Sequence, residues 1–160
     1  GTLRVVDWQI APAQAAATQE DAVWQAVKRQ VGTSITPLLK PGWVPSDLSG
    51  VQMLNAAPGT FEVEYRGQGK SLDISVSTLQ PPDLGPNGSR TAVTVRFEQA
   101  TLQQQSAAAG GKIWLWWDET GKWIPVEGAA PKPAVTYMIL AAGLTPDEVQ
   151  QVAGRMVPLE

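Results

Sequence analysis

Residues 61–76, FEVEYRGQGKSLDISV, decide the fold of this chain. Phe61, Val63 and Tyr65 alternate with Glu62, Glu64 and Arg66, and Leu72, Ile74 and Val76 alternate with Ser71, Asp73 and Ser75. A period of two puts the apolar set on one face and the polar set on the other. Gly67-Gln68-Gly69-Lys70 turns the chain between the two runs, so the stretch reads as a half-buried β-hairpin with its polar side towards solvent. Upstream, Val51, Met53 and Asn55 continue the same pattern as a strand, set off by a turn at Pro58-Gly59. Downstream, Thr78 to Ser89 (TLQPPDLGPNGS) is a long polar loop. Arg90 to Phe97 then reads as a strand with Val93, Val95 and Phe97 inward, extended by Thr101 to Gln105. Ser106 to Gly111 (SAAAGG) turns the chain. Lys112 to Trp117 (KIWLWW) and Lys122 to Val126 (KWIPV) flank Asp118 to Gly121 as a second hairpin, and Val135 to Ala141 is a last strand.

Two helices frame these strands. Thr18-Gln19-Glu20-Asp21 reads as a capping box, Val23, Trp24, Val27 and Val31 follow at helical spacing, and Gly32 ends the run. Before it, Leu3 to Ile10 is a short strand or extended arm, and Ala11 to Ala17 a small-residue connector. Pro37, Pro41 and Pro45 deny Ser34 to Pro45 any regular structure, leaving a connector that carries Leu38, Leu39, Trp43 and Val44 into the core. Thr145-Pro146-Asp147-Glu148 is the strongest helix start in the chain; Val149, Val152, Ala153 and Met156 form its apolar stripe, and Pro158 closes it. The expected fold class is therefore α+β: a single curved antiparallel sheet of about six to seven strands, with an N-terminal and a C-terminal helix packed on one face. Residues 1–17 form the arm and connector, and residues 18–160 the single domain.

Composition excludes more chemistry than any motif supplies. Among 160 residues there is no histidine and no cysteine. Histidine-based triads, thiolate nucleophiles, structural zinc and disulfides all drop out. The net charge of −3 comes with scattered Lys and Arg, which argues against nucleic acid and against polybasic attachment to anionic lipid. The longest nearly apolar run, Ala134 to Leu144, is about half the ~20 residues a spanning helix needs, so no transmembrane segment is expected. The N-terminus lacks the basic region and continuous apolar run of a signal peptide. The absence of cysteine is a mild sign of an exported bacterial domain.

Candidate chemical sites are few. Gly69-Lys70-Ser71 matches the tail of a phosphate-binding loop, but Glu64 stands where the loop needs glycine, and an alternating strand follows where a helix should. Glu62 and Glu64 share a strand face with Asp73 near by, a grouping that a glycosidase or a cation site uses. Beside Arg66 and Lys70 the same carboxylates read as ordinary cross-strand ion pairs. Asp118-Glu119 reads as a pair of solvated turn acids. Asp83 to Ser89 offers oxygen ligands without calcium-loop spacing, and Asn87-Gly88-Ser89 matches a glycosylation acceptor too short to count. No catalytic residue, metal ligand or cofactor is assigned.

The seven tryptophans are the better lead. In KIWLWW, a strand puts Ile113, Leu115 and Trp117 on one face and Trp114 and Trp116 on the other, so both faces are apolar. Either this is a central strand covered on both sides, or Trp114 and Trp116 line an aromatic concavity for an apolar or stacking ligand. Trp43, on its proline-rich loop, and Trp123 complete the candidate ligand-binding set: Trp43, Trp114, Trp116 and Trp123.

The order of three motifs resembles a known family. They are Tyr65-Arg66-Gly67-Gln68-Gly69 through Leu72 and Ile74, then Leu115-Trp116-Trp117-Asp118-Glu119-Thr120-Gly121, and then Gly143-Leu144-Thr145 with Glu148 and Ala153. Over roughly residues 36 to 157 this resembles the uncharacterised bacterial extracytoplasmic domain found at the C-terminal end of anti-sigma regulators and in lipoproteins, distantly similar to lipoprotein carriers. The resemblance implies an exported, non-catalytic binding or sensing module, membrane-tethered or a lipoprotein in its full-length form. The partner expected of it is an apolar or lipid-like ligand. The alternatives are a structural or protein-partner domain of a cell-surface protein, and a carboxylate-based hydrolase using Glu62 and Glu64. Trp117, Trp123 and the proline-rich loop before Arg90 depart from the family pattern.

Overall fold

The 61–76 hairpin supplies two neighbouring strands of a seven-stranded antiparallel sheet. The computed structural model describes residues 12–76, 88–119 and 135–159, with the backbone alone at 12–18. In chain order these form α1 (Pro12–Val31), β1 (Leu39–Pro41), β2 (Gly50–Ala57), β3 (Thr60–Gly67), β4 (Lys70–Val76), β5 (Ser89–Val95), β6 (Glu98–Gln104), a short 3-10 turn at Ala107–Ala109, β7 (Ile113–Glu119), β8 (Val135–Ala142), α2 (Pro146–Gly154) and β9 (Met156–Pro158). The large sheet runs β2-β3-β4-β8-β7-β6-β5, and β1 pairs with β9 in a small second sheet. The architecture is α+β and mostly strand.

The period-two pattern fixes which side of the sheet holds the core. One row crosses it as Val63, Ile74, Ile139, Leu115, Leu102 and Thr91. Both helices pack on that inner face. Trp24, Val27 and Val31 come from α1, and Val149, Val152 and Ala153 from α2, all buried in one apolar cluster with the strand residues. Hydrogen bonds pin this apolar packing in place. The Trp24 indole donates to the Tyr65 hydroxyl at 2.8 Å and meets the Phe61 ring edge-on at 5.6 Å. Tyr137, stacked on Trp117 at 5.6 Å, donates its hydroxyl proton to the Pro37 carbonyl at 2.6 Å and accepts from the Leu39 amide at 2.8 Å. The Pro37 to Leu39 stretch is thereby tied to the middle of the sheet. At α2, Thr145 and Glu148 form a reciprocal capping box with Pro146 in the first turn, as the sequence predicts.

Several local expectations are corrected. α1 begins at Pro12, so residues 12–17 are helix rather than connector, and Thr18 stands inside the helix. Alanine is the best helix former, and proline suits the first helical position, so Ala13 and Ala15 to Ala17 carry the helix back past the polar cap. The strand starting near Arg90 stops at Val95, and Phe97 does not point inward. Arg96 and Phe97 form a two-residue turn, both at positive φ (51° and 68°), and the Phe97 side chain is fully exposed. Glu98–Gln104 is then a separate strand. β6 and β8 pair with the two edges of β7. The N-terminal arm, the stretch 122–126, Trp123, Asn87 and nearly all of the proline-rich loop lie outside the described residues.

Candidate functional site

The second face of the sheet carries the candidate site. Alternation along β7 turns Trp114 and Trp116 away from the core, and register places their neighbours. One row across this face reads Gln52, Glu64, Asp73, Leu140, Trp114, Gln103, Arg90. The next reads Asn55, Glu62, Ser75, Met138, Trp116, Thr101, Ala92. Among the described residues no helix packs on this face. It divides into an acidic third on β3 and β4, an apolar and aromatic centre on β8 and β7, and a polar rim on β6 and β5.

In the centre, Trp114 is 6 % exposed yet lies outside the main core cluster, whereas Trp116, Met138 and Leu140 are half-buried. The Arg90 guanidinium lies 5.7 Å above the Trp116 ring and donates to Gln103 Oε1 at 2.7 Å. That cation–π contact lies over one ring face of Trp116. Beyond Trp116, the Thr136 hydroxyl donates to Asp118 at 2.6 Å. The centre is therefore an apolar platform with Trp116 as its accessible indole and Trp114 as its floor.

The acidic third is more closed than the alternation suggests. Glu64 is 6 % exposed, not solvated, because Gln52 Nε2 donates to it at 3.0 Å and Arg66 Nε at 2.5 Å. Arg66, with Gln52 assisting, holds its carboxyl below the usual range against the cost of burial. Directly opposite, burial pushes the Asp73 carboxyl up to about 7, reinforced by Glu62 and Glu64 beside it. The Asp73 Oδ1 atom is buried with no hydrogen-bond partner. Among the described residues no group of three or more acidic side chains is placed to hold a metal ion. A cavity of about 240 Å³ opens beside it, lined by Gln19, Gly50, Val51, Gln52, Glu64 and Arg66.

The structure brings Trp114 and Trp116 together and separates them from Trp43. Trp43 packs against the core cluster with the Arg155 guanidinium 5.2 Å over its ring, so its loop does not close over the Trp116 platform. Trp123 lies outside the described residues. The Gly-Lys-Ser tail is a hairpin turn: Gln68 and Gly69 both take positive φ, and Lys70 Nζ is spent on Asp47 Oδ2 at 2.6 Å. Asp118 and Glu119 are not a matched pair of turn acids. Glu119 is 6 % exposed, accepts from Trp117 Nε1 at 2.9 Å and pairs with Arg96. Sequence reasoning missed Arg90 as a site residue, because nothing local to it signals that it reaches across β6 to Trp116.

No helix among the described residues is long and apolar enough to cross a membrane. Comparison with protein-family models, curated proteins and solved structures finds no match to the chain.

Proposed function

We propose that this chain is a non-catalytic binding module whose ligand surface is the Trp116 platform, with Met138, Leu140 and the Trp114 floor, and that its ligand is apolar or lipid-like. The observation that carries this reading is a half-buried indole, with Arg90 over one ring face, in the apolar centre of a sheet face on which no described helix packs. An apolar surface with a polar rim accepts a chain or ring by contact area, and Trp116 adds stacking. An extracytoplasmic location, with a tether or lipid anchor in the full-length product, is part of the same proposal. It is supported by the cysteine-free sequence and by the resemblance of its three motifs.

The test is a fluorescence titration with decanoic acid, a short-chain lysophospholipid below its micelle concentration, and anilinonaphthalene sulfonate. Wild-type emission shifts on binding, and W116F loses the shift while keeping its fold. If no probe changes the emission, or W116F responds as the wild type does, the platform is not the ligand surface.

One observation favours a second reading, a carboxylate hydrolase. Glu64 and Asp73 face each other with their proton affinities driven apart, the pattern of an acid and base pair. Against it, Gln52 and Arg66 already engage Glu64, and Asp73 does not line the adjoining cavity. Hydrolysis of aryl glycosides or esters that is abolished in E64Q would favour this reading over the binding one.

A further inference from the structure

The two edges of the large sheet, β2 and β5, are finished differently. α1 packs along β2, and a bulge between Met53 and Asn55 breaks its register. Such features keep edges from recruiting further strands. β5 has neither. Its register with β6 runs unbroken from Ser89 to Val95, it contains no proline or lysine, and Thr91, Val93, Thr94 and Val95 are β-branched. The two-residue turn closes on the Val95–Glu98 pair, so Val95, Val93, Thr91 and Ser89 direct their amides and carbonyls to β6. Those of Arg90, Ala92 and Thr94 then point off the sheet. All three residues are exposed, and the described residues place no strand beyond them. The one charge on the strand, Arg90, is turned back onto Gln103 and Trp116 instead of guarding the edge.

We propose that a second copy of this chain pairs antiparallel with β5 about a two-fold axis at Ala92, making one sheet continuous through both copies. The strand is complementary to itself in that register. Arg90 falls opposite Thr94 of the partner subunit, Thr91 opposite Val93 of the partner subunit, and Ser89 opposite Val95 of the partner subunit. No like charges meet, and Thr91 and Val93 are both good strand formers. Because the axis stands perpendicular to the sheet, both Trp116 platforms face the same side. The pairing stands whether or not the ligand reading above holds.

A cysteine-free chain makes the test clean. At the axis the two Ala92 Cα atoms are about 5.5 Å apart, within disulfide range, whereas two Thr94 Cα atoms are separated by roughly 14 Å along the strands. Under mild oxidation A92C is expected to form a covalent dimer about tenfold faster than T94C, as those separations imply. Wild-type protein sediments as a concentration-dependent monomer and dimer. T94K sets lysine against Arg90 of the partner subunit and shifts the equilibrium to monomer, with an unchanged thermal melt at concentrations where the wild type is itself monomeric. Equal cross-linking rates for A92C and T94C, or a wild-type protein that stays monomeric at millimolar concentration, would overturn the proposal.

Discussion

Arg96 and Glu119 meet at 3.3 Å across the end of the sheet, and the pair anchors a hairpin turn whose two residues, Arg96 and Phe97, both take positive φ. Arg96 also donates to the Met156 carbonyl, while Glu119 accepts from Trp117 Nε1. One guanidinium thus joins the β5–β6 turn, the end of β7 and the chain leaving α2. Phe97 is carried into solvent as a consequence.

Neighbouring substitutions in this turn should act in opposite directions. R96A leaves the buried Glu119 carboxylate without its cation and costs about 2–4 kcal/mol. F97G removes a fully exposed ring and relieves a left-handed backbone, so it stabilises by up to about 1 kcal/mol. Urea denaturation of both variants checks the signs. A stabilised R96A would remove the ion pair from the explanation.

Adjacent tryptophans on β7 should separate stability from binding. Trp117 is buried and stacked on Tyr137, so W117A costs about 3–5 kcal/mol. Trp116 is partly open on the other face, and W116A costs less than about 1.5 kcal/mol while lowering affinity for apolar probes. Thermal melts set beside probe titrations distinguish the two faces.

Stability should fall between about pH 4 and 7, with Asp73 responsible. Its folded-state carboxyl, raised to about 7 by burial and then by Glu62 and Glu64, binds a proton more tightly than the unfolded chain does. The stabilisation is complete below the unfolded value near 3.9 and is lost as pH rises through about 7. Glu64 has the opposite sign: its depressed pKa gives stability that disappears only in acid. D73N should flatten the melting-temperature profile from pH 4.5 to 7.5, and an unchanged slope would assign it to other groups.

Two glycines of the first hairpin should respond unequally to alanine. A Cβ at Gly67 would meet the Asp47 carbonyl oxygen at 1.8 Å, backbone that Lys70 holds in place through Asp47. G67A therefore costs at least about 2 kcal/mol. At Gly69 the space is open and only the left-handed φ of 74° resists, so G69A costs about 1–2 kcal/mol. Equilibrium unfolding of the pair checks the order.

Much of the local structure is legible in the sequence. The two faces of β3, β4, β7 and β8 follow from alternation, and the start of α2 from its capping box. The Trp114 and Trp116 side of β7 was readable for the same reason. Phe97 was not: an apolar residue in phase with Val93 and Val95 reads as core until Arg96 is seen to reach Glu119 and turn the chain. Trp43 packs against the core, as its place on the proline-rich connector predicts; its separation from Trp116 was not legible, because a loop residue has no period to say which side of the sheet it joins.

By itself the sequence determined which side chains share a strand face, where α2 begins, and that imidazole and thiol chemistry are absent. Each of these depends on residue identity or on neighbours a few positions away. Only the tertiary structure decided that β8 enters between β4 and β7, that Glu64 is closed in by Gln52 and Arg66, and that β5 has no strand beyond it among the described residues. Those outcomes depend on contacts between distant segments competing for the same edges and faces, and no local pattern encodes which segment wins.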